Sequence, residues 1–406
     1  MAYRNIVLKQ LLSRVPWQRF NALVAEHQAD KWVKALSTKA QFITLLFAQL
    51  KGRSGLRETV DALNSRARQL YHLGTAPVAR STLADANRLR PSTVYEQLFG
   101  FLVRLCRRTL RRQMDGLTLL IDSTSIRLNR YSADWAKFST TVCGAKIHVI
   151  HDPDADHPVY AAVTAANVND ISAAQDMPIV PGATYVFDLG YYWYDWWYRM
   201  HEAGCRIVTR LKKNTPLTVT VERLIEPGLP ILSDRIGLLP ARQAYNRRNP
   251  FQAEVREIRI RTDNGTVLRI VTNDLNAPAR EIADLYRRRW AIELFFRWIK
   301  QNLKIRRFMG TSENAVRTQV FIALIAYLLV RLGYEAQSAV TSMVRFVRVV
   351  SENLMERNSI DELFAALAEA RPRRRRRPSQ PHDRSPRVVR GRLFGNIFRG
   401  VGAIEF

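Results

Sequence analysis

Two stretches of this sequence decide its fold, Leu117 to Thr124 (LTLLIDST) and Tyr185 to Tyr191 (YVFDLGY). Each begins with an apolar run typical of a buried strand and then places an aspartate, Asp122 in the first and Asp188 in the second. If both strands are central and parallel in one sheet, their carboxyl ends lie side by side, where open α/β sheets place their sites. A single Asp after a strand is more often a turn or cap residue, so a functional site needs a third partner.

The segments around these two stretches alternate between strand and helix patterns. Short apolar or alternating runs predict strands over residues 117–126, 141–151, 159–164, 183–187 and 206–211. Helical patterns over residues 170–177 and 191–203 separate the later strands, which makes the order β-β-β-α-β-α-β. Further strands, including residues 255–261 and 267–272, are expected within a β-rich insertion over residues 214–274. We therefore predict an α/β core built on a mixed sheet.

Residues 1–112 show a helical pattern and are predicted to form an all-α N-terminal domain. Phe42, Leu45, Leu46 and Leu50 repeat at helical spacing, and Ser81 is expected to cap a later helix. Arginines cluster around the predicted turns between these helices, which favours a DNA-binding module of the helix-turn-helix type. The alternative is an ordinary helical domain whose arginines are solvated.

The C-terminal part is predicted as helices followed by a basic tail. One long helix is expected over residues 278–304, and two more over residues 313–334 and 339–356. Residues 357–406 are predicted as a largely disordered tail, because residues 371–392 hold ten Arg, four Pro and one Asp and cannot bury enough apolar surface. Such a tract attracts phosphates whatever their sequence context, or, in the alternative reading, only adds solubility.

The charge of the chain narrows its class of partner. Among 406 residues, 63 are Lys or Arg and 36 are Asp or Glu, which leaves a formal net charge of +27. A surface this basic is typical of proteins that bind polyanions, with nucleic acid favoured over an anionic membrane surface. A hydrophobic content of 47% provides a buried core, so a disordered polycation is excluded.

Cysteines and apolar runs argue against other classes of protein. Cys106, Cys143 and Cys205 are widely spaced and form no CxxC pair, which disfavours a disulfide scaffold or a zinc cluster. The longest apolar run, residues 320–330, falls short of the roughly 18 residues that indicate a membrane span and predicts a buried helix. The first residues lack a signal-peptide core, so we expect a cytoplasmic protein that does not bind a membrane.

A third acidic residue, Glu293, lies on the predicted helix that follows the insertion. Tyr286, Arg289, Glu293 and Lys300 project along one stripe about 60° wide if the helix turns by about 100° per residue. Most of the opposite surface is apolar, so the helix is expected to pack against the protein and present this polar stripe. The alternative is a solvated face on which Arg289 or Arg297 neutralises Glu293 across one helical turn.

Three carboxylates without paired thiols or histidines indicate a site for hard divalent cations. Asp122, Asp188 and Glu293 offer oxygen ligands, which suit Mg²⁺, or Mn²⁺ as its substitute, better than zinc. Two such ions about 3.5 to 4 Å apart can activate a water or a 3′-hydroxyl and stabilise the leaving oxygen in phosphoryl transfer. We therefore expect two ions per site.

This series of motifs resembles the DDE insertion-sequence transposases that carry the Tyr-Arg-Glu-Lys signature. The matching residues are a strand followed by Asp122-Ser123-Thr124, a strand followed by Asp188-Leu189-Gly190-Tyr191, and then Tyr286-x2-Arg289-x3-Glu293-x6-Lys300. The resemblance covers residues 116–330, and the helical region up to residue 99 also resembles the DNA-binding module of some bacterial transposases. It implies an RNase H-like catalytic core over residues 113–213 and 275–356, interrupted by the insertion.

The resemblance also implies roles for individual residues. Asp122, Asp188 and Glu293 would be the catalytic residues and metal ligands, while Tyr286, Arg289 and Lys300 would hold phosphates near the cleaved DNA end. Residues near strand ends would lie close to DNA, namely Lys146 and His148 in the second strand and Arg210, Lys212 and Asn214 at the fifth.

The activity that the resemblance implies is metal-dependent cleavage and strand transfer of an insertion sequence. The partners would be terminal inverted repeats and target DNA, bound by a homodimer in the bacterial nucleoid. Similar transposases make a hairpin at the transposon end, which needs an aromatic ring to hold an unstacked base. Residues 214–274 contain no Trp, so Trp290 beside the polar stripe is the candidate ring. A structure-selective nuclease on the same core and a non-catalytic basic DNA-binding protein are the alternatives.

Overall fold

A computed structural model describes residues 6–53, 55–110, 116–136, 138–139, 141–225, 230–242, 247–303, 305, 307–337 and 342–369. The strands are β1 (Thr118–Leu128), β2 (Cys143–Asp152), β3 (His157–Ala165), β4 (Thr184–Val186), β5 (Arg206–Arg210), β6 (Thr218–Glu222), β7 (Ile231–Leu238), β8 (Val255–Arg261) and β9 (Val267–Thr272).

The helices fall into an N-terminal group, a central group and a C-terminal group. The N-terminal helices are α1 (Val7–Leu12), α2 (Trp17–Glu26), α3 (Thr38–Lys51), α4 (Leu56–Asn64), α5 (Ala67–Leu70), α6 (Arg80–Leu89) and α7 (Thr93–Leu110). The central helices are α8 (Ala133–Ala136), α9 (Asp170–Ala174) and α10 (Tyr194–Glu202). The C-terminal helices are α11 (Ala279–Arg288), α12 (Trp290–Asn302), α13 (Glu313–Glu335), α14 (Met343–Glu352) and α15 (Ile360–Glu369).

All of the strands join one sheet of nine strands, in the order β3-β2-β1-β4-β5-β9-β8-β7-β6. Strands β1, β2 and β3 form an antiparallel meander, whereas β4 pairs in parallel with both β1 and β5. The chain therefore has the predicted β-β-β-α-β-α-β order, preceded by helices. The predicted insertion also contains strands, and its last strand, β9, pairs with β5, so it extends the core sheet.

Helices cover both faces of the central strands and form two apolar clusters. Because successive side chains in a strand point to opposite faces, Leu120 faces one cluster while Leu119 and Ile121 face the other. The first cluster contains residues of α12 and α13, and the second contains the aromatic residues Trp196 and Trp197 of α10. The aromatic run before and within α10 thus packs in the core.

Helix α13 is the central helix of the first cluster. It contacts α3, α6 and α7 of the N-terminal group as well as α14 and β3, so the N-terminal helices share a core with the C-terminal ones. By length and composition α13 could cross a membrane, but 83% of its apolar window is buried inside the protein. The predicted buried helix over residues 320–330 is therefore confirmed.

Three local predictions were wrong. The helix expected over residues 278–304 is divided at Arg289, whose N–H bonds to the carbonyl of Tyr286 and whose own carbonyl accepts from Ile292 in short three-residue turns. Ser81 does not cap α6, which begins one residue earlier, after Ala79. The predicted tail starts too early, because Ile360–Glu369 forms α15 and buries Phe364. The Arg-rich residues 371–392 lie outside the described residues.

Candidate active site

The pairing of β1 with β4 brings Asp122 and Asp188 next to each other. The parallel register joins Thr118 to Thr184 and Leu120 to Val186, so two further residues along each chain lead to the two aspartates. Neighbouring strands lie about 4.8 Å apart, which places both carboxylates at one edge of the parallel region. Asp122 lies inside β1 and not at its end as expected, because β1 continues to Leu128 through its pairing with β2.

Backbone groups hold both aspartates in place. The N–H of Ser123 donates to Oδ1 of Asp122 at 2.8 Å, and the N–H of Gly190 donates to Oδ1 of Asp188 at 2.8 Å. Asp188 thereby caps the short 3₁₀ turn Leu189–Tyr191 that follows β4. Each carboxylate keeps its second oxygen for another partner.

Helix α12 brings Glu293 to the same edge through Arg289. One guanidinium nitrogen of Arg289 donates to Oε1 of Glu293 at 2.5 Å, and the other lies 3.4 Å from Oδ2 of Asp122. The side chains of Asp122, Arg289 and Glu293 are 18%, 17% and 31% exposed, so the contacts are partly shielded from water. The ion pair of Glu293 with Arg289, which the alternative reading of this helix predicted, is present. It does not lie on a solvated face, however, because Arg289 also contacts Asp122.

The surroundings of Asp122 at this edge change its pKa. Burial raises the pKa of Asp122 to about 7, although Arg289 and the Ser123 N–H both act to lower it. The charges of Asp188 and Glu293 raise this pKa further, so a single arginine does not offset the burial and crowding of the carboxylates. A site with this imbalance favours the binding of additional positive charge.

Tyr286 and Arg210 lie beside the three carboxylates. Burial raises the pKa of Tyr286, Asp188 raises it further, and Arg289 and Arg210 act to lower it, the latter also through a hydrogen bond. The guanidinium carbon of Arg289 is 6.0 Å from the centre of the Tyr286 ring. The Nε atoms of Arg289 and Arg210 are buried, and among the described residues neither has a hydrogen-bond partner. The site therefore contains two N–H donors that are suited to bind an anionic ligand.

The remaining predicted DNA contacts lie in different surroundings. Trp290 is half-buried at the start of α12, and Lys300 is half-buried near the end of the same helix. Lys212 is exposed after β5, with its Nζ 4.6 Å from the centre of the Tyr192 ring. Lys146 is 18% exposed and is paired with Asp170, so its charge is already neutralised within the protein.

Asp170 at the start of α9 is the residue that sequence reasoning missed. Its Oδ1 accepts from the Ser123 hydroxyl at 2.9 Å and from Lys146 Nζ at 3.1 Å. In the sequence it follows Asn169 before a helical pattern, where an Asp is an ordinary helix-start residue. The one hint in the sequence was Lys146, a basic residue that was predicted to lie near the same strand ends.

The donor chemistry of this edge suits a hard cation. In the part of the chain that the structure describes, no three His, Cys, Asp or Glu residues are grouped closely enough to hold a metal ion. Arg289 lies between Asp122 and Glu293, where it provides a positive charge to both carboxylates. Carboxylate oxygen ligands fit Mg²⁺ or Mn²⁺ better than zinc.

Comparison with known proteins shows that the residues at this edge lie within a known family domain. The model of the transposase DDE domain matches residues 113–329, which include both aspartates, Glu293 and Arg289. This chain belongs to the DDE transposase family. A second model, a domain of unknown function (DUF4372), matches residues 3–76 of the N-terminal helices.

Two relatives support membership of the DDE transposase family. The chain is 39% identical over 309 residues to the putative transposase y4zB of Sinorhizobium fredii, covering 75% of this chain and 83% of that protein. It is 30% identical over 276 residues to the probable transposase for insertion sequence element IS5377 of Geobacillus stearothermophilus, covering 66% of this chain and 72% of that one. The predicted assignment to insertion-sequence transposases is therefore confirmed, and the chain is an enzyme that acts on DNA.

Among solved structures, this DDE transposase is similar to the piggyBac transposase in a synaptic complex with hairpin DNA. The two share 11% sequence identity with a TM-score of 0.44, over 89% of this chain and 80% of the other.

Proposed function

We propose that this transposase uses Asp122, Asp188 and Glu293 as its catalytic residues for metal-dependent cleavage and strand transfer of an insertion sequence. The observation that carries the proposal is the convergence of three separate elements on one edge. The β1–β4 register aligns the two aspartates, and Arg289 links Asp122 to Glu293 of α12. Each acid thus comes from an element that the family model includes.

The three carboxylates would hold Mg²⁺, or Mn²⁺ as a substitute, with two ions per site. The fit rests on their oxygen ligands and on the shared position of Asp122 and Glu293 around one arginine, Arg289. When bound, such ions activate a water or a 3′-hydroxyl and stabilise the leaving oxygen of a phosphodiester. Asp122, Asp188 and Glu293 then act as the ligands that fix this chemistry at the sheet edge.

The basic residues beside the carboxylates would position the DNA backbone. Arg289 and Arg210 have buried Nε donors without partners among the described residues, and a phosphate would satisfy them. Tyr286 is hydrogen-bonded to Arg210 and lies near Arg289 and Asp188, so its hydroxyl would help to orient the same phosphate. Lys300 and the exposed Lys212 would add point charges along the bound strand, whereas Lys146 acts inside the protein.

The DNA substrate would be the terminal inverted repeats of the element together with target DNA. The N-terminal helices, residues 1–112, would contact these ends, and the Arg-rich residues 371–392 would supply attraction to any phosphate backbone. We assign residues 113–213 and 275–356 to the catalytic core and residues 214–274 to an insertion. The protein would act as a homodimer on paired ends in the nucleoid.

Trp290 is the candidate for holding an unstacked base in a hairpin intermediate. It follows Arg289 directly and is half-buried, with the guanidinium carbon of Arg297 5.9 Å from the centre of its ring. An aromatic ring next to the proposed phosphate site can stack a base that leaves the duplex. Denaturing gels of DNA ends cut by the native protein and by Trp290→Ala test this step. Hairpin products with the native protein and their loss in the variant are expected.

Cleavage of DNA carrying the ends of the element tests the proposed function. With Mg²⁺, the native protein should cut at the ends and join a precut 3′-hydroxyl end to a plasmid, which a nuclease would not do. Glu293→Gln and Asp188→Asn should abolish both reactions while leaving DNA affinity nearly unchanged.

Glu313→Gln is the matched control, because Glu313 also pairs with an arginine four residues away on a helix, Arg317. This variant should cleave like the native protein. Retained cleavage in Glu293→Gln, or equal loss in the control, would overturn the assignment of Glu293. Cleavage without joining would support the nuclease in place of the transposase.

A further inference from the structure

Asp170 connects the two strands that carry the proposed catalytic aspartates. In the antiparallel pairing of β1 with β2, Ser123 lies opposite His148 and Ser125 lies opposite Lys146, so these side chains share one face of the sheet. Asp170, from α9, contacts this face, where its Oδ1 accepts from Ser123 Oγ and from Lys146 Nζ. Asp122 and Glu293 lie on the opposite face.

The contact with Ser123 reaches Asp122 through one residue. Ser123 donates its backbone N–H to Asp122 Oδ1 at 2.8 Å and its hydroxyl to Asp170 Oδ1 at 2.9 Å. The same residue is thus held by one carboxylate on each face of the sheet. A change in Asp170 would shift the donor that orients Asp122.

The second oxygen of Asp170 lies against the turn that carries Asp188. A Cβ on Gly190 would be 3.0 Å from Asp188 Oδ1 and 3.1 Å from Asp170 Oδ2, so the two carboxylates enclose this glycine. Gly190 also donates its N–H to Asp188. The turn can adopt this close arrangement because residue 190 has no side chain.

Lys146 offsets the charge repulsion between Asp170 and Asp188. Its ammonium lies 3.1 Å from Asp170 Oδ1 and 2.9 Å from the Val168 carbonyl, and it is largely shielded from water. The lysine therefore balances one negative charge beside the other carboxylates, as Arg289 does for Glu293 on the opposite face.

We propose that Asp170 is a positioning residue that fixes Asp122 through Ser123 and Asp188 through the turn at Gly190. This role rests on the proposed function of the two aspartates. Neighbours that orient metal-binding groups typically change metal affinity or activity by about 10- to 100-fold when they are removed. Asp170 belongs to this class by its contacts, and Lys146 is its counter-charge.

The test compares Asp170→Ala and Asp170→Asn with the native protein and with Asp176→Ala, an exposed aspartate six residues further along. Two measurements need no DNA cleavage: Mn²⁺ affinity by electron paramagnetic resonance, and hydrogen exchange of the peptide over residues 186–193. Asp170→Ala should weaken Mn²⁺ binding by about 10-fold and speed exchange in this peptide, with smaller effects in Asp170→Asn. Asp176→Ala should change neither quantity.

Cleavage kinetics then separate positioning from a general loss of structure. The kcat of Asp170→Ala should fall by about 10- to 100-fold, with an unchanged KM for DNA and an unchanged circular dichroism spectrum. Should Asp170→Ala fail to fold, Asp170→Asn serves for every measurement.

A folded Asp170 variant with native exchange and native Mn²⁺ affinity would overturn the positioning role. If Asp188→Ala also binds Mn²⁺ like the native protein, the proposed function is what fails. In that case the exchange of residues 186–193 still tests the contact of Asp170 with the turn.

Discussion

Arg289 donates a hydrogen bond to Glu293 at 2.5 Å while its other guanidinium nitrogen lies 3.4 Å from Asp122. One arginine therefore provides the positive charge between two acids that come from different elements, α12 and β1. The same side chain was predicted to hold a phosphate. It cannot fully serve both carboxylates and an anionic ligand at once, so ligand binding and the Arg289 contacts should compete.

Replacing Arg289 should reveal the competition between its carboxylate contacts and the binding of an anionic ligand. Arg289→Ala should bind Mn²⁺ more tightly than the native protein in the absence of DNA, because two carboxylates lose their internal cation. Its cleavage activity should nevertheless fall by about 10- to 100-fold or more, since the phosphate loses the Nε donor of Arg289. Electron paramagnetic resonance titration and cleavage rates measure the two effects.

Arg287→Ala is the control for this experiment, because Arg287 is an exposed arginine that pairs with Asp284 on α11. It should leave both quantities unchanged. Weaker Mn²⁺ binding in Arg289→Ala would show that the arginine supports the acids as ligands and does not compete for them.

The raised pKa of Asp122 predicts a pH dependence of stability. The pKa is about 7 in the folded protein against an ordinary value of 3.8, so the folded state prefers the protonated form. The stability that this preference contributes is complete below about pH 4 and is lost as the pH rises through 7, at about 1.4 kcal/mol for each unit of pKa difference.

Asp122→Asn should therefore melt at the same temperature as the native protein near pH 4 and several degrees higher at pH 8. Thermal melts monitored by circular dichroism without divalent ions measure this difference. A constant difference across this pH range would contradict the burial of Asp122 as the cause.

A buried ion pair joins two strands of the insertion, and its removal should lower the free energy of unfolding. Arg256 of β8 donates to both carboxylate oxygens of Asp234 in β7, at 2.7 and 2.6 Å, and both side chains are buried. Arg256→Met should cost about 3 to 5 kcal/mol, because it removes the bidentate partner of a buried carboxylate and leaves it the weaker contact with Arg223 at 3.9 Å. Urea unfolding measures this loss.

The neighbouring pair of Arg235 with Glu222 is the control, because its carboxylate, Glu222, is 70% exposed and stays solvated when the arginine is removed. Arg235→Met should cost less than about 1 kcal/mol. Equal costs for the two variants would mean that burial of the Asp234 pair has no effect on stability.

The Arg-rich segment should affect how strongly DNA affinity depends on salt concentration. A chain that ends at Glu369 lacks the ten arginines of residues 371–392, so it should bind any DNA more weakly and with a flatter salt dependence. Each lost phosphate contact lowers the slope of log affinity against log salt by about 0.9. Fluorescence anisotropy at several salt concentrations measures the slope. The preference for element ends over random DNA should not change, and its loss would assign sequence recognition to the tail.

Much of the fold was predictable because apolar periodicity reports strands and helices well. Residues 255–261 and 267–272 are strands with the predicted bounds, and the β-β-β-α-β-α-β order is confirmed. The pairing of β9 with β5 was not predictable, since neither strand carries a residue that specifies its neighbour. The end of β1 was missed by two residues, because its pairing with β2 carries the strand from the predicted end at Ile126 to Leu128.

The acidic residues of the site were predictable, but their contacts were not. Helical spacing indicated that Arg289 could reach Glu293, and only the packing of α12 against β1 shows that Asp122 shares the same arginine. The division of the helix at Arg289 leaves no mark in the sequence, because Arg, Trp and Ala are all good residues for a continuous helix. Asp170 was missed because its role depends on which strand its helix packs against.

The direct pairing of β9 with β5 has a mechanical consequence. Val208, Thr209 and Arg210 lie in register with Thr272, Val271 and Ile270, so the outer strands are bound to the core by backbone hydrogen bonds. The segment cannot swing as a hinged flap unless those bonds break. Any displacement of the outer strands is therefore transmitted through the hydrogen-bonded sheet to Arg210.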